Sequence, residues 1–335
     1  MEGLRALLEE GVTAGAFEVG AAWVALEGRP LESAYTEGAT PETIWDLASL
    51  TKPMAVVTEV MKGVEDGRLT LDEPVTGPGG LKTTIRDLLA HRAGLPAWDD
   101  LWRVAESSGD SWIPGSPPVR AAVAARIGAL AGTQAGTCYS DLGFITLGWH
   151  LERRLQAPLE ALVSRWRWGV PRGTPDHLRC VPTGHCDRRG RQALGEVDDL
   201  NCWVLGGVAG HAGLFATLDE VGAWALDLAN SAADRGGRID GGVVREFWAL
   251  ERRRDSTWVL GWDTPTPPRS TAGTRASATA VGHLGFTGTS VWIDREQDLV
   301  MVLLSNRVAL GSASKTIMRS FRPRFHDAIR DLVGR

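Results

Sequence analysis

The sequence of 335 residues has little of what marks membrane or secreted proteins. No run of apolar residues approaches the ~18 that a membrane-spanning helix needs, so we expect no transmembrane segment. The first ten residues carry acidic side chains where a secretory signal would need basic ones and an apolar core, so we expect a cytoplasmic protein. Cysteine is scarce, and four thiols in a chain of this length fit a reducing compartment. The four are Cys138, Cys180, Cys186 and Cys202.

An excess of charge of one sign is also missing. The net charge of −5 gives no reason to expect nucleic acid or an anionic membrane as a partner. With 43% hydrophobic and 23% charged residues, disorder and coiled coil are excluded. Only four of the 36 basic residues are lysines, so a motif that needs a lysine arises less readily by chance.

Helix and strand patterns predict the fold class. Strand candidates occur near both ends of the chain, and the part between them has mainly helix and loop patterns. The strand candidates are residues 17–26, 31–36, 258–262, 280–286, 290–294 and 299–304. The main helix candidates are residues 49–65, 85–91, 119–130, 142–155, 218–230 and 314–333. We therefore predict an α/β protein in which residues 1–75 and 197–335 form one domain and residues 76–196 a mainly helical insertion.

Ser49-Leu50-Thr51-Lys52 is the first motif that can carry chemistry. Residues i and i+3 lie one turn apart on the same face of a helix, so Lys52 can reach the Ser49 hydroxyl and help to remove its proton. The alternative is that Ser49 only caps the helix. A second match, Ser312 with Lys315, lies at the start of the last predicted helix, where we expect Ser312 or Ser314 to act as the cap.

Tyr139-Ser140-Asp141 precedes the predicted helix 142–155 and therefore lies in a loop, where a side chain can point into a cleft. A phenol can act as base and acid if a nearby cation such as Lys52 lowers its pKa. The alternative is structural: Ser140 or Asp141 caps the helix and Tyr139 packs. The two interpretations are compatible with each other.

His283-Leu284-Gly285 lies in a glycine-rich strand candidate. A glycine in a strand lets a ligand or another backbone approach closely. An edge strand also has free N–H groups that can bind an extended substrate or an oxyanion. The alternative is a tight hairpin with a solvent-facing His283.

One group of residues has the chemistry of a metal site: His177, Cys180, His185 and Cys186. Their irregular spacing in a segment rich in Arg and Gly favours ordinary loop residues over a zinc site. We expect neither a metal nor a cofactor.

In this order the three motifs resemble the serine β-lactamase and penicillin-binding protein superfamily, and within it the class C-like branch that includes family VIII-type esterases. Longer motifs typical of that branch extend the resemblance over residues 19–330. They are WDLASLTKP from Trp45, IRDLLAHRAGLP from Ile85, GHAGLF from Gly210 and GFTGTS from Gly285. The resemblance implies a β-lactamase/transpeptidase-like fold of the α+β class. Such a fold has an antiparallel sheet flanked by helices and an active site in the cleft between the two domains.

The resemblance also implies a role for each matching residue. Ser49 resembles the acylated nucleophile, and Lys52 resembles its activating partner. Tyr139 resembles the residue that passes the proton to the leaving group and activates the deacylating water. His283-Leu284-Gly285 stands where the family has Lys-Thr-Gly, and the backbone N–H groups of Ser49 and Phe286 would form the oxyanion hole.

The sequence departs from the family pattern at three of these positions. Asp141 replaces an asparagine, so we expect it to raise the pKa of Lys52 and to shift the role of base toward Tyr139. His283 replaces a lysine, and Leu284 replaces a hydroxyl residue, so the binding of a substrate carboxylate is weakened. All three changes disfavour a dedicated β-lactamase.

We therefore expect a serine hydrolase that works through an acyl-enzyme on Ser49, of the carboxylesterase or β-lactamase-like type. Its partner would be a small ester or amide, without nucleic acid or membrane. An acyltransferase, a D-aminopeptidase or DD-peptidase, or a β-lactamase could use the same site. A catalytically silent binding protein is the alternative from another class.

Overall fold

The main sheet is assembled from the two ends of the chain. The computed structural model describes residues 2–107, 112–250, 256–266, 268 and 270–335. The α-helices in this part are α1 (Glu2–Thr13), α2 (Thr58–Glu65), α3 (Ile85–Leu89), α4 (Leu101–Glu106), α5 (Pro117–Ala129), α6 (Asp141–Leu155), α7 (Leu159–Leu162), α8 (Leu200–Val204), α9 (Leu218–Ala232), α10 (Gly241–Phe247) and α11 (Ala313–Leu332). The strands are β1 (Gly20–Leu26), β2 (Arg29–Tyr35), β3 (Trp45–Asp46), β4 (Pro74–Thr76), β5 (Lys82–Thr84), β6 (Arg167–Trp168), β7 (His185–Cys186), β8 (Arg191–Gln192), β9 (Leu214–Ala216), β10 (Val281–Leu284), β11 (Ser290–Asp294) and β12 (Leu299–Ser305).

Five of these strands form the main sheet, in the order β10-β11-β12-β1-β2, with every neighbouring pair antiparallel. β1 and β12 run side by side along their whole length, from Gly20 opposite Ser305 to Leu26 opposite Leu299. The predicted α+β fold with an antiparallel sheet built from both ends is therefore confirmed.

Helices cover both faces of this sheet. Because successive side chains of a strand point to opposite faces, Trp23 packs in the same cluster as Trp224 of α9. Its neighbour Val24 packs on the other face with Leu8 of α1 and Phe321 of α11. Burial on both faces explains why β1 is apolar throughout instead of alternating.

The predicted capping motifs have the expected geometry. The Thr84 side chain accepts a hydrogen bond from the Asp87 N–H at the start of α3. Thr217 and Glu220 form a reciprocal capping box at the start of α9. The expectation that Ser312 or Ser314 caps the last helix is wrong. Ser312 stands at the N-cap of α11 but its side chain makes no capping hydrogen bond, and Ser314 Oγ donates to the Arg307 and Gly311 carbonyls.

Two strand predictions need correction. Residues 258–262 do not form a strand, because Gly261 adopts a φ of +82° and the Val259 N–H turns back to the Trp262 carbonyl. The strand predicted over 280–286 is shorter, since the chain turns back after β10, where the Gly285 N–H bonds to the Thr289 carbonyl at 2.8 Å.

The division into residues 1–75 with 197–335 and residues 76–196 stays a prediction. One apolar cluster joins Val60 of α2 with Phe144 of α6 and Val221 of α9, and so crosses both boundaries. A second cluster combines Ile44 with Val123 of α5 and likewise crosses a boundary. In the part of the chain that the structure describes, no helix has the length and apolarity that crossing a membrane requires.

Candidate active site

Ser49 lies in a tight turn that directly follows β3. Residues Ala48–Leu50 form a 3₁₀ turn, and a π-helical segment, Lys52–Val57, leads into α2. Three residues per turn bring Ser49 and Lys52 to the same side. Ala48 adopts a φ of +47°, a conformation that a residue with a side chain seldom takes, and its N–H is held by Asp46 Oδ1 at 2.8 Å. Leu47, not Ser49, occupies the N-cap, so the capping interpretation of Ser49 is wrong.

The Lys52 ammonium is fully buried, donates two hydrogen bonds and forms an ion pair with Asp141. Lys52 Nζ lies 3.0 Å from Ser49 Oγ, 3.2 Å from the His211 carbonyl oxygen and 2.6 Å from Asp141 Oδ1. Burial would lower the pKa of Lys52, but the Asp141 carboxylate and the Tyr139 hydroxyl outweigh it, so the pKa lies above its ordinary value. In the resting site Lys52 is therefore a cation.

Tyr139 precedes α6 and contacts both members of the serine–lysine pair. Its hydroxyl interacts with Lys52 and Ser49, and its ring centroid lies 4.9 Å from Lys52 Nζ. Burial raises the pKa of the phenol, and although Lys52 lowers it, the net pKa is above the usual value. The expectation that Lys52 would leave Tyr139 with a depressed pKa is thus not met, and the resting phenol is protonated.

The structural reading of the next two residues also holds. The Ser140 side chain caps α6 by accepting a hydrogen bond from the Gly143 N–H at 3.1 Å. Asp141 is the first residue of α6, and its N–H bonds to the Ala97 carbonyl at 2.9 Å. This anchoring presents the Asp141 carboxylate to Lys52.

His283 and His91 form an uncharged wall beside Tyr139. His283 is 1% exposed, which contradicts the solvent-facing alternative. Its Nδ1–H donates to the Leu284 carbonyl at 2.9 Å, so Nε2 carries the lone pair. Burial and the Lys52 charge lower the pKa of His283 to about 3. His91 Nδ1 accepts the Ser140 N–H at 3.1 Å, and burial and Lys52 likewise hold the pKa of His91 well below its usual range.

The sequence motifs gave no role to three residues near the site: Trp258, His91 and His211. Trp258 stacks against Tyr139, with ring centroids 5.0 Å apart, and contacts both histidines. His91 belongs to the IRDLLAHRAGLP motif and His211 to the GHAGLF motif, but neither received a role. Spacing along the chain offers no signal for Trp258, because only the fold places it beside Tyr139.

Gly285 allows the loop after β10 to approach the serine turn. A Cβ at Gly285 would lie 2.7 Å from the Leu47 carbonyl oxygen and would also collide with Thr289 Oγ1. Thr287 Oγ1 and Thr289 Oγ1 tie the loop to this turn by donating to the Asp46 and Leu47 carbonyls. Within the described residues, the backbone N–H groups of Ser49 and Phe286 have no hydrogen-bond acceptor. The predicted oxyanion donors therefore belong to two adjoining segments and are both available.

A buried acidic network lies behind the serine turn. Asp46 accepts the Asp198 N–H at 2.7 Å, and Asp199 accepts from His211 Nε2 at 3.0 Å. Burial and the Asp198 charge raise the pKa of Asp46 to about 7. Burial and the charge of Asp199 raise the pKa of Asp198. His211 connects this network to the site, since its carbonyl accepts from Lys52.

The alternative metal site was His177, Cys180, His185 and Cys186. His177 Nδ1 lies 3.3 Å from the Val170 carbonyl, and Cys180 Sγ lies 3.5 Å from the Asp176 carbonyl. Among the described residues, no three side chains of the metal-ligating types are placed to hold an ion.

Comparison with known proteins identifies the family of this chain. The beta-lactamase family model matches residues 4–319. The chain is 27% identical over 320 residues to a Salmonella agona (strain SL483) protein named "Putative D-alanyl-D-alanine carboxypeptidase", covering 80% of this chain and 70% of that protein.

Two solved structures illustrate the shared fold. A class C beta lactamase from Rhodobacter sphaeroides superposes with a TM-score of 0.70 at 17% identity, covering 98% of this chain and 99% of that one. EstCE1, described as a hydrolase with promiscuous acyltransferase activity, gives 0.68 at 16% identity, covering 96% and 97%. The fold is thus that of the β-lactamase and penicillin-binding protein superfamily. The family match over nearly the whole chain then decides the membership: this protein belongs to the beta-lactamase family of hydrolases.

Proposed function

We propose that this protein is a serine hydrolase that forms an acyl-enzyme on Ser49 and acts on small, uncharged esters or amides. The observation that carries the proposal is the shared ammonium of Lys52, 3.0 Å from Ser49 Oγ and 2.6 Å from Asp141 Oδ1. A serine with a lysine at this distance has the geometry of an activated nucleophile.

Acylation starts from charged Lys52, ionised Asp141 and protonated Tyr139. Lys52 passes a proton to Asp141, and the neutral amine then takes the proton of Ser49 as Oγ attacks the carbonyl carbon. The substrate oxygen becomes negative and accepts hydrogen bonds from the backbone N–H groups of Ser49 and Phe286. Removing one such donor typically costs ~10²–10³ in rate.

Tyr139 serves the second half of acylation. As the tetrahedral intermediate collapses, its phenol gives a proton to the departing alkoxide or amine. Lys52 reprotonates Tyr139, and Asp141 returns its proton to Lys52, so that each group regains its starting state. In deacylation Lys52 again passes a proton to Asp141 and takes the proton of Tyr139, whose phenolate accepts a proton from the attacking water. As the second intermediate collapses, Lys52 returns a proton to Ser49 Oγ and Asp141 reprotonates Lys52.

The absence of charge on the wall formed by His283 and His91 favours an uncharged substrate. Where the family pattern implied by the resemblance has a lysine, this site has His283, whose pKa of about 3 leaves it neutral at physiological pH. His91 is neutral for the same physical reason, its burial beside Lys52. A substrate carboxylate would therefore meet no free cation from this wall.

The test is turnover of p-nitrophenyl butyrate together with labelling by a fluorophosphonate. We expect wild type to release nitrophenol and to gain one label by intact-mass spectrometry, and Ser49→Ala to do neither. Ser312→Ala is the matched control, because it removes the serine of the second S-x-x-K match and should leave both signals unchanged. Full turnover by Ser49→Ala would contradict the proposal.

The same preparation separates the alternatives. A penicilloyl adduct that persists on Ser49 without ester turnover would indicate a peptidase-like or penicillin-binding site. Nitrophenol release that accelerates with added alcohol or amine, with formation of the new ester or amide, would indicate an acyltransferase. A wild-type protein that neither labels nor turns over would be a binding protein that keeps the fold.

A further inference from the structure

Two buried arginines hold the loop after β10 from the side of the C-terminal helix. Arg322 of α11 is 8% exposed, and its Nη2 donates to the Gly285 and Thr289 carbonyl oxygens, each at 2.8 Å. Arg307 is 4% exposed and donates to the Phe286 carbonyl, from Nε at 2.8 Å and from Nη2 at 2.6 Å. The carbonyls of Gly285 and Phe286, which flank the Phe286 Cα, are thus each bound by a guanidinium group.

The segment of the second S-x-x-K match, residues 312–315, contacts Arg307 and Phe286 and has no catalytic role. Ser314 Oγ donates to the Arg307 carbonyl at 2.9 Å and lies 3.3 Å from Arg307 Nη1. Lys315 Nζ lies 5.9 Å from the ring centroid of Phe286. The start of α11 therefore fixes Arg307, and α11 itself supplies Arg322.

Arg322 has an unusual setting for a buried charge. Burial lowers the pKa of Arg322 to about 9, and the charge of Arg307 lowers it further. Among the described residues no carboxylate forms an ion pair with it. Its Nε has no hydrogen-bond partner in this part of the chain. A buried cation without a counter-ion is costly, and a neutral donor could hold two carbonyls without that cost. The presence of a charged donor at this position therefore needs an explanation beyond the two hydrogen bonds.

The geometry of the peptide bond supplies that reason. In a trans peptide the C=O and N–H point in opposite directions, so binding the Gly285 carbonyl fixes the direction of the Phe286 N–H. A cation at the carbonyl also polarises the amide, and a polarised amide is a stronger donor. The N–H so strengthened is the one that would stabilise negative charge on the substrate oxygen.

We propose that Arg322, supported by Arg307, is a positioning residue that orients and polarises the Gly285–Phe286 peptide for oxyanion stabilisation. This inference rests on the proposed serine hydrolase function. Its effect belongs to the transition state, because the oxygen becomes fully charged only there.

The experiment compares Arg322→Met with Arg324→Met, a substitution on the same helix whose exposed side chain bonds only to the Ser320 carbonyl in the described structure. For Arg322→Met we expect kcat for p-nitrophenyl butyrate to fall about ten- to a hundredfold, part of the loss caused by deleting an oxyanion donor, with KM nearly unchanged. The Ki of phenylboronic acid, which forms a tetrahedral anionic adduct with the serine, should rise by a similar factor. Arg324→Met should leave kcat, KM and Ki at their wild-type values.

A structural role alone would give a different result. Reduced yield or melting temperature with wild-type kcat and Ki in the folded fraction would overturn the inference. If Arg322→Met does not fold, Arg322→Lys decides. One shorter ammonium cannot hold both carbonyls equally, so kcat should fall about threefold or more with KM retained, and an unchanged kcat would refute the role. Wild type that neither turns over nor labels at Ser49 would refute the proposed function as well, whereas active wild type with an equally active Arg322→Met would refute this inference alone.

Discussion

Lys52 Nζ lies closer to Asp141 Oδ1, at 2.6 Å, than to Ser49 Oγ, at 3.0 Å. The carboxylate is therefore the strongest partner of the ammonium. It stabilises the charged form of Lys52, and it is also placed to take the proton that Lys52 must lose before it can deprotonate Ser49.

The first prediction concerns Asp141→Asn and the pH profile. Asp141 raises the pKa of Lys52, so its removal lowers that pKa and Lys52 loses its proton at lower pH. The alkaline limb of kcat/KM for p-nitrophenyl butyrate should then move to lower pH. An alkaline limb that stays in place would mean that Asp141 does not control the protonation of Lys52.

The second prediction concerns His283→Lys and substrate charge. An ammonium at this position would give a substrate carboxylate a partner that neutral His283 does not offer. Acylation by a fluorescent penicillin should become faster by about tenfold, which corresponds to ~1.4 kcal/mol of differential binding. The control is His185→Lys at an exposed histidine of β7, which should not change the acylation rate. Equal rates for both variants would show that the charge at residue 283 does not limit carboxylate recognition.

The third prediction concerns Gly285→Ala and loop packing. The added Cβ would lie 2.7 Å from the Leu47 carbonyl, so the loop must move away from the serine turn, at a cost of about 1–3 kcal/mol. Nitrophenol release should fall by about tenfold or more, because the Phe286 N–H moves with the loop. Gly143→Ala is the matched control, since its Cβ would make only ordinary contacts at 3.7 Å. Similar turnover of the two variants would argue against the need for close approach.

The fourth prediction concerns Asp198→Asn and stability against pH. Burial and Asp199 raise the pKa of Asp198, and burial and Asp198 raise that of Asp46 to about 7. A carboxyl with a raised folded-state pKa binds its proton more tightly in the folded state. Its stabilising contribution is therefore present at low pH and is lost as the pH rises through the folded pKa. Wild type should lose this contribution between about pH 4 and 8.

Asp198→Asn removes one of the two repelling charges. We expect it to melt roughly 2–4 °C above wild type at pH 8, equivalent to about 1 kcal/mol, with the difference shrinking at pH 5. Thermal unfolding followed by tryptophan fluorescence at the two pH values measures this. A variant that is less stable than wild type at pH 8 would show that Asp198 is stabilised as an anion.

Much of the fold and the three central site residues could be predicted because their signals are local. The cap at Thr84, the capping box at Thr217 and the apolar run of β1 each depend on a few neighbouring residues. Ser49 and Lys52 are three residues apart, so any helical turn brings them together.

The features that the sequence did not predict depend on contacts between residues far apart in the chain. Trp258 reaches Tyr139 only through the fold, and the run around it looked like a strand although Gly261 turns the chain. The raised pKa of Tyr139 results from burial, which spacing does not reveal. Arg322 stands in an amphipathic helix where an arginine usually indicates a solvated face, and nothing in the sequence shows that it points inward.

The pairing of β1 with β12 has a consequence for synthesis of the protein. Gly20 lies opposite Ser305, so β1 has only β2 as a neighbouring strand until β12 has left the ribosome. The face of β1 that carries Val24 packs on α1 but lacks α11 until then, and the face that carries Trp23 has no cover from α9 until that helix is made. A topology with such long-range pairing folds slowly. A ribosome that stalls before β12 is made therefore releases a chain that cannot complete its main sheet.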